Sequence, residues 1–320
     1  MAGGWFASAY EERRLSVSKM HDHELDIDTG LVRRLLADQC PQWAHLPLAR
    51  VASSGTDNVL FRLDDSMAVR LPRIDWAARM VEKEHRYLAK LAPHLPLPIP
   101  TPLAKGRPAH GYPWQWTVVP WLDGANAFDS PVTDLTQAAA DLARFVRALR
   151  QIDASDGPGF GVHNAGRGEP LRNRDAAVRA ALKQLDGMID TRAAQAAWEE
   201  SLSAPAWDGP PVWIHGDLLP GNVLVQHGRI SAIIDFGCLG TGDPAYDLIP
   251  AWSGFDPPAR AAFKAAVITD DATWRRGRGA ALSVALIALP YYKDTNPMLA
   301  GTARRIIGRV LAAFDGRMTL

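Results

Sequence analysis

The sequence lacks the features that mark disulfide-rich, zinc-binding or strongly basic proteins. Its 320 residues include only two cysteines, Cys40 and Cys238, which lie far apart in the chain. Two such cysteines supply neither a disulfide framework nor a zinc site, so we expect a protein of the reducing cytoplasm. Lysine plus arginine and aspartate plus glutamate both total 35, which gives a formal net charge of zero. A broad basic surface for nucleic acid is therefore not expected.

Long hydrophobic runs are also missing. The longest run, Ala280 to Pro290 with one serine, is about half the ~20 residues that a membrane-spanning helix needs. The opening stretch MAGGWFASAYEERR lacks the basic and apolar regions of a signal peptide. Apolar residues make up 47% of the chain and charged residues 22%, which excludes a disordered or fibrous protein. We predict a soluble protein without membrane contact, and take a monomer as the default.

The length is about twice the ~150 residues typical of one domain, which favours two lobes or one large domain. Residues 1–20 show no amphipathic period and are predicted to be a loosely ordered extension. Residues 21–122 form the first predicted lobe, and residues 123–320 form a mainly helical second lobe. We therefore predict an α+β fold, with a small antiparallel sheet and one main helix followed by a larger helical part.

Local patterns place the elements of this fold. A first helix follows HDHELD, with Thr29 as a possible cap, and short alternating runs predict strands in LARVASS, NVLFRLDD, SMAVRLPR and QWTVVPWLDG. Helical spacing predicts a helix from Trp76 to Leu91. In the second part, Thr133 or Asp134 can cap a helix, and NVLVQHGRISAIID predicts a hairpin with QHGR as its turn.

The stretch VWIHGDLLPGNVLVQHGRISAIIDFG carries the strongest chemical signal. Asp217 and Asn222 lie five residues apart in a loop, and Asp235 ends the second strand of the hairpin that follows. Folding of that hairpin brings two carboxylates and an amide into one region. Such oxygen ligands suit Mg²⁺, and one carboxylate would remain free to accept a hydroxyl proton. The two motifs H-G-D-x-x-x-x-N and D-F-G together indicate a phosphoryl-transfer site.

On these motifs the chain resembles the aminoglycoside and macrolide phosphotransferases, antibiotic kinases with a bilobal protein-kinase-like fold. The resemblance runs from about Thr29 to Ala312. It implies that Asp217 is the catalytic base and that Asn222 and Asp235 are Mg²⁺ ligands, with ATP or GTP as co-substrate. It implies a packing and hydrogen-bonding role for His215. The segment CLGTGDPAYDL is similar to the family's G-D-P-x-x-D-L, whose aspartates, here Asp243 and Asp247, brace the loop after the metal-binding aspartate.

The first lobe is expected to hold the nucleotide. The loop between its first two strands offers phosphate-binding donors from Ser53, Ser54, Gly55 and Thr56. Arg70 stands where kinases place a phosphate-gripping lysine, and Glu84 on the following helix corresponds to the partner of that lysine. An arginine at this position is a departure, because the two cations are not interchangeable. In the linker VVPWLDG, the main chain around Val119 and Trp121 would contact the purine, although Pro120 lacks a donor.

The acceptor is less defined. From residue 150 onward there are 18 acidic and 18 basic residues, so no charge bias separates polycationic from apolar acceptors. Trp252, Asp256, Tyr291 and Tyr292 are predicted to line the acceptor cleft. The favoured reaction is transfer of the γ-phosphoryl group to a hydroxyl of an aminoglycoside-like antibiotic. A macrolide 2'-phosphotransferase, a kinase of another small hydroxylated metabolite, and a nucleotide-binding pseudokinase remain as alternatives.

Overall fold

The computed structural model describes residues 25, 27–51 and 57–318, with side chains up to residue 314. The predicted N-terminal extension and the loop Ser53–Thr56 lie outside the described residues. In the described part, no helix is long and apolar enough to cross a membrane.

The small lobe is built around one antiparallel sheet whose strands follow the spatial order β1-β2-β3-β5-β4. The strands are β1 (Leu48–Arg50), β2 (Asn58–Leu63), β3 (Met67–Pro72), β4 (Ala104–Gly106) and β5 (Trp116–Pro120). The four strands predicted here are confirmed. The edge strand β4 was missed, because it has three residues and follows a proline-rich stretch that gives no strand signal.

Two helices flank this sheet, α1 (Thr29–Gln39) and α2 (Asp75–Leu91). The first helix begins one residue earlier than the predicted cap implies. Asp28 is its cap, with the carboxylate accepting from the Leu31 N–H at 2.7 Å, and Thr29 is the first helical residue. Buried side chains of α1 pack with the sheet into one core.

The helix α2 connects the two halves of the molecule. Its last turns, including Tyr87, Leu88 and Leu91, belong to the hydrophobic core of the larger lobe and not to that of the sheet. Its middle contacts β3 and β5 on one side and the segment after Asp235 on the other. A shift of this helix would therefore change its contacts in both lobes.

The larger lobe is mostly helical. Its helices are α3 (Leu135–Gln151), α4 (Asp175–Gln184), α5 (Thr191–Leu202), α6 (Pro250–Ser253), α7 (Pro257–Val267), α8 (Asp271–Tyr292) and α9 (Pro297–Met318). Asp134 caps α3, as predicted, by accepting from the Gln137 N–H. The helices enclose a core that extends from α3 to α9.

Short strands lie between these helices and position the loops that contain Asp217, Asn222 and Asp235. They are β6 (Ala125–Asn126), β7 (Val212–Ile214), β8 (Val223–Gln226), β9 (Arg229–Ile233) and β10 (Gly240–Gly242). The predicted hairpin is β8–β9, and its turn residues His227 and Gly228 have φ of 51° and 75°. Such positive φ values define the tight two-residue turn that joins twisted antiparallel strands.

Candidate active site

The loop after β7 places Asp217 and Asn222 in direct contact. The Asn222 side-chain amide donates to the Asp217 backbone oxygen at 2.8 Å and to its carboxylate Oδ2 at 2.9 Å. Both donor contacts of the amide nitrogen are thus directed at Asp217. The Asn222 carbonyl oxygen is the atom of this side chain that suits a cation, since the nitrogen cannot coordinate one.

His215 connects this loop to the end of the second strand of the hairpin through hydrogen bonds of its ring. Its ring is fully buried and contacts Phe236 in a tilted arrangement, with 4.5 Å between the ring centroids. Its Nε2 lies 3.0 Å from the Ile234 backbone oxygen. Its Nδ1 accepts from the Asp217 N–H at 3.2 Å. An imidazole that donates through Nε2 and accepts through Nδ1 is neutral, so His215 has the packing and hydrogen-bonding role expected for it.

Asp247 holds the backbone that leads into Asp217. Its carboxylate is fully buried and accepts from the N–H groups of His215 and Gly216 at 2.9 and 2.8 Å. The expectation that Asp243 and Asp247 both brace the loop after Asp235 is therefore corrected. Asp247 braces the other loop, and Asp243 caps its own turn and pairs with Arg276 at 2.7 Å.

Asp235 leaves β9 in a backbone conformation that few non-glycine residues adopt. Its φ is 61° and its ψ is 73°, and its side chain accepts from the Gly237 N–H at 3.3 Å. The residue is solvent-exposed. Burial raises the pKa of the Asp217 carboxyl, the Arg167 guanidinium opposes this, and the charge of Asp235 adds to the rise. The two carboxylates are therefore close enough to interact, as the hairpin geometry predicts.

This donor set fits a hard cation that is held only partly by protein. In the described residues, no group of three or more His, Cys, Asp or Glu side chains could hold a metal alone. Two carboxylates and one amide oxygen match the needs of Mg²⁺, which usually completes its shell with water and substrate phosphates. They do not match a closed structural site of the zinc type.

Arg70 and Glu84 form the predicted pair. The Arg70 guanidinium contacts the Glu84 carboxylate, and both residues are buried, with 9% and 2% of their surfaces exposed. Burial lowers the pKa of Arg70, and the charge of Asp235 counteracts this. The guanidinium is thus close enough to Asp235 for the two charges to interact.

Lys83, next to Glu84, was not singled out from the sequence. Its ammonium group donates to the Gly237 backbone oxygen at 2.6 Å and to the His163 backbone oxygen at 3.2 Å. Burial lowers the pKa of Lys83 to about 8, with the charge of Asp235 opposing. A signal existed, because Lys83 lies three residues after the buried Met80 and four before the buried Tyr87, on the apolar stripe of α2.

Arg167 is a second charged group that sequence reasoning missed. It belongs to the glycine-rich loop between α3 and α4, and its Nη2 lies 3.7 Å from Asp217 Oδ1. No periodicity or motif marks this residue, because an arginine in a glycine-rich loop has no pattern of its own. Only the folded chain brings it to Asp217.

Parts of the predicted nucleotide site are outside the described residues. Ser53, Ser54, Gly55 and Thr56 all fall in the undescribed segment, and the chain is described again from Asp57. The charge of Asp57 contributes to the raised pKa of Tyr292, after burial as the main cause, with Tyr291 and Asp217 adding to it. The end of the predicted phosphate loop is therefore near Tyr292.

The linker prediction needs a correction. The Trp121 N–H donates to the Ser66 backbone oxygen at 2.8 Å, so it is already used inside the small lobe and is not available to a purine. Its indole ring is covered by the Arg62 guanidinium, 4.6 Å from the ring centroid. Val119 pairs with Ala68 in the sheet, and Pro120 has no N–H to offer.

The four residues predicted for the acceptor cleft separate into two groups. Tyr291 and Tyr292 lie edge to face at 4.8 Å between ring centroids at the end of α8, and Tyr291 is 58% exposed. Trp252 is 1% exposed and packs on Trp274 at 4.9 Å, so it is a core residue and the prediction for it is wrong. Asp256 caps α7 by accepting from the Ala259 N–H at 2.9 Å.

Two cavities of about 190 and 240 Å³ occur elsewhere in the described part. The first is mostly apolar, and Gly168, Gly242 and Asp243 form part of its wall. Neither cavity is lined by Asp217, Asn222 or Asp235. The candidate site is defined by its converging charged groups.

Comparison with known proteins identifies the family of this chain. The model of the phosphotransferase enzyme family APH matches residues 49–280, so the chain belongs to this family. The suspected family and the predicted enzyme class, a phosphotransferase with an alcohol acceptor, are thereby confirmed. A search of curated proteins finds no significant match.

Solved structures show the same fold at low sequence identity. The GDP complex of aminoglycoside 2'-phosphotransferase-IIIa is 16% identical with a TM-score of 0.69, over 90% of this chain and 99% of that one. The macrolide 2'-phosphotransferase MphH from Brachybacterium faecium is 21% identical with a TM-score of 0.57, over 87% and 97%. A macrolide 2'-phosphotransferase type I is 20% identical with a TM-score of 0.60, over 87% and 97%. The predicted bilobal kinase-like fold is confirmed.

Proposed function

We propose that the protein is a small-molecule kinase that transfers the γ-phosphoryl group of ATP or GTP to a hydroxyl of an aminoglycoside-like antibiotic. The observation that carries the proposal is the convergence of three sequence-predicted residues. Asn222 holds the Asp217 carboxylate at 2.9 Å, and Asp235 is close enough to raise the pKa of that carboxyl. A pseudokinase would have no need to keep this set together.

Each residue has a role that its position supports. Asp217 accepts the proton of the attacking hydroxyl, because its carboxylate is the group that Asn222 orients. Asn222 and Asp235 would hold Mg²⁺, which when bound neutralises phosphate charge. Arg70, fixed by Glu84, adds a guanidinium that suits phosphate oxygens. Positioning and charge neutralisation, rather than covalent chemistry, would provide the rate acceleration.

The small lobe, residues 21–122, is proposed to bind the nucleotide, and the large lobe, residues 123–320, to carry the catalytic loop and the acceptor. Tyr291 and Tyr292 remain candidates for acceptor contacts, since Tyr292 is electrostatically coupled to Asp217 and Asp57. Neighbouring structures include complexes with GDP, with GDP and kanamycin, and with streptomycin and ATP. Both nucleotides are therefore included in the proposal. Cytoplasmic location and a monomeric state remain predictions.

A macrolide acceptor is the second candidate. Two solved neighbours are macrolide 2'-phosphotransferases, and they are 21% and 20% identical to this chain. The tyrosine pair at the end of α8 offers an apolar surface with two hydroxyl groups, which suits either class of antibiotic. A kinase of another small hydroxylated metabolite is distinguished from both by the same assay.

The test is nucleotide turnover with Mg²⁺, using ATP and GTP separately and a panel of acceptors. The panel contains kanamycin, a macrolide, and simple sugars and polyols. Phosphorylation of kanamycin supports the proposal, and turnover only with another acceptor moves the assignment to that class. Asp217→Asn should lower kcat by roughly 10²–10⁴-fold while the fold and Mg·nucleotide binding persist. Near-normal kcat in this variant would overturn the proposal.

A further inference from the structure

The loop that carries Arg167 is fixed by one buried asparagine. Asn164 is fully buried, its Oδ1 accepts from the Gly161 N–H at 3.0 Å, and its Nδ2 donates to the Arg167 backbone oxygen at 2.9 Å. The Arg167 N–H in turn donates to the Asn164 backbone oxygen at 3.0 Å. The Arg167 backbone is thus held on both sides before its side chain makes any contact.

The stem of Arg167 lies against the glycine of the His-Gly-Asp segment. Gly216 has φ of +80°, and a Cβ atom added there would be 3.0 and 3.1 Å from Cβ and Cγ of Arg167 and 2.7 Å from the Cys238 backbone oxygen. The glycine therefore serves two purposes. It permits the backbone turn that presents Asp217, and it leaves the space that the arginine stem fills.

The guanidinium group then meets the carboxylate from the side opposite Asn222. Nη2 of Arg167 lies 3.7 Å from Asp217 Oδ1, whereas Asn222 donates to Oδ2 at 2.9 Å. The Arg167 side chain is only 11% exposed, and its Nε has no hydrogen-bond partner in the described part of the chain. A buried cation with one unsatisfied donor beside a carboxylate is attracted to it.

We propose that Arg167 is a positioning residue for Asp217, and this rests on the proposed function of that aspartate. With Asn222 bonded to Oδ2 and Arg167 facing Oδ1, each carboxylate oxygen has a polar neighbour, and together these restrain the orientation of the carboxylate. A carboxylate offers about four lone-pair positions, so both contacts leave room for the acceptor hydroxyl. Loss of this orientation, rather than loss of nucleotide binding, is the expected consequence of removing Arg167.

The experiment measures kcat for the panel acceptor that supports turnover or, if none does, for transfer to water seen as nucleotide hydrolysis. Arg167→Ala should lower kcat by roughly 10- to 100-fold with little change in the KM for nucleotide. Arg172→Ala, which removes an exposed arginine five residues further on, is the matched control and should keep the wild-type kcat. Melting temperatures and Mg·ATP calorimetry report whether each variant is folded.

Two further measurements separate a positioning role from a structural one. Millimolar guanidine should restore part of kcat to Arg167→Ala and should not raise the rate of the wild type or of Arg172→Ala. In the Asp217→Asn background, adding Arg167→Ala should cost nothing more, because the two residues act on the same step. If Arg167→Ala does not fold, Arg167→Lys takes its place and should show a reduced kcat with an unchanged nucleotide KM.

The inference is overturned if the folded variant has a kcat within twofold of wild type. It is also overturned if kcat and Mg·ATP affinity fall together without guanidine rescue, or if the double variant is slower than Asp217→Asn alone. Failure of the proposed function gives another result, namely wild-type turnover in Asp217→Asn. An inactive Asp217→Asn with a normal Arg167→Ala removes only the positioning role.

Discussion

Lys83 of α2 donates a hydrogen bond to the backbone oxygen of Gly237, with 2.6 Å between Nζ and the oxygen. The next residue of the same helix, Glu84, pairs with Arg70 of the sheet. Two adjacent side chains therefore attach α2 to opposite sides of the cleft, one to the Asp-Phe-Gly segment and one to the predicted nucleotide lobe. The helix relates the position of Arg70 to that of Asp235.

Lys83→Met should weaken both stability and Mg·nucleotide binding. Methionine fills the same space but cannot donate, so the Gly237 oxygen loses its partner at a cost of about 1–3 kcal/mol. Thermal melting and calorimetry with Mg·ATP provide the measurements. Lys90→Met is the control, because Lys90 lies on the same helix and makes a partly exposed pair with Asp156 that contributes little to stability. Equal effects of the two substitutions would contradict the anchoring role of Lys83.

Arg70→Ala should raise the nucleotide KM and lower kcat, and Arg70→Lys should recover only part, because a point charge replaces a fork. Since Glu84 would be left buried without a partner, Arg70→Ala should also lower stability, by about 3–5 kcal/mol. Steady-state kinetics and denaturant unfolding measure the two effects.

The double variant Arg70→Met with Glu84→Leu separates these effects. Replacing a buried pair by apolar groups is often neutral for stability, so the melting temperature should recover while the nucleotide KM stays high. Wild-type nucleotide kinetics in this folded variant would exclude Arg70 from phosphate binding. Arg73, which is equally buried, would then be the next residue to test.

Asp235→Ala should remove the effect of Mg²⁺ on nucleotide affinity, because it deletes a charged ligand from an ion that is otherwise bound through phosphates. Asn222→Ala should have the same effect more mildly, since an amide is a neutral ligand. Calorimetry of ATP binding with and without Mg²⁺ makes the comparison, with the exposed Asp186→Ala as control. Unchanged Mg·ATP binding in Asp235→Ala would show that this carboxylate is structural.

Gly216→Ala should be more damaging than an ordinary glycine substitution. Its φ of +80° makes any side chain unfavourable by about 1–3 kcal/mol, and the added Cβ would lie 2.7 Å from the Cys238 backbone oxygen. Gly187→Ala is a close control, because Gly187 has φ of +73° with nothing within 4 Å of the added Cβ. The difference between the two melting temperatures measures the crowding alone. Equal losses would mean that the space at Gly216 is not needed.

Several features followed directly from the order of residues. The alternation of SMAVRLPR and the helical spacing after Trp76 predicted the strand and helix that carry Arg70 and Glu84. The resemblance to kinases implied a pair between these two residues, and the structure contains it. The loop and hairpin around Asp217 and Asp235 were predicted from turn residues and short-range spacing. These are local properties, in which backbone preferences and a fixed number of residues decide the geometry.

The tertiary structure decided the rest, because it depends on which segments meet across long sequence separations. Trp252 has the same apolar and aromatic character as a ligand-contacting residue, and only packing on Trp274 shows that it belongs to the core. The Trp121 N–H is used by Ser66, a pairing that no local pattern indicates.

The sequence by itself determined the phosphoryl-transfer motifs and the order of elements in the two lobes, because each arises from spacing within one or two neighbouring elements. Only the tertiary structure brought Arg167 to Asp217, although fifty positions separate them in the sequence. It also brought Lys83 to Gly237, and the separation of these two in the sequence is larger still. Charged side chains from a glycine-rich loop and from a distant helix are directed at the site by burial and backbone hydrogen bonds. These forces act only once the chain has folded.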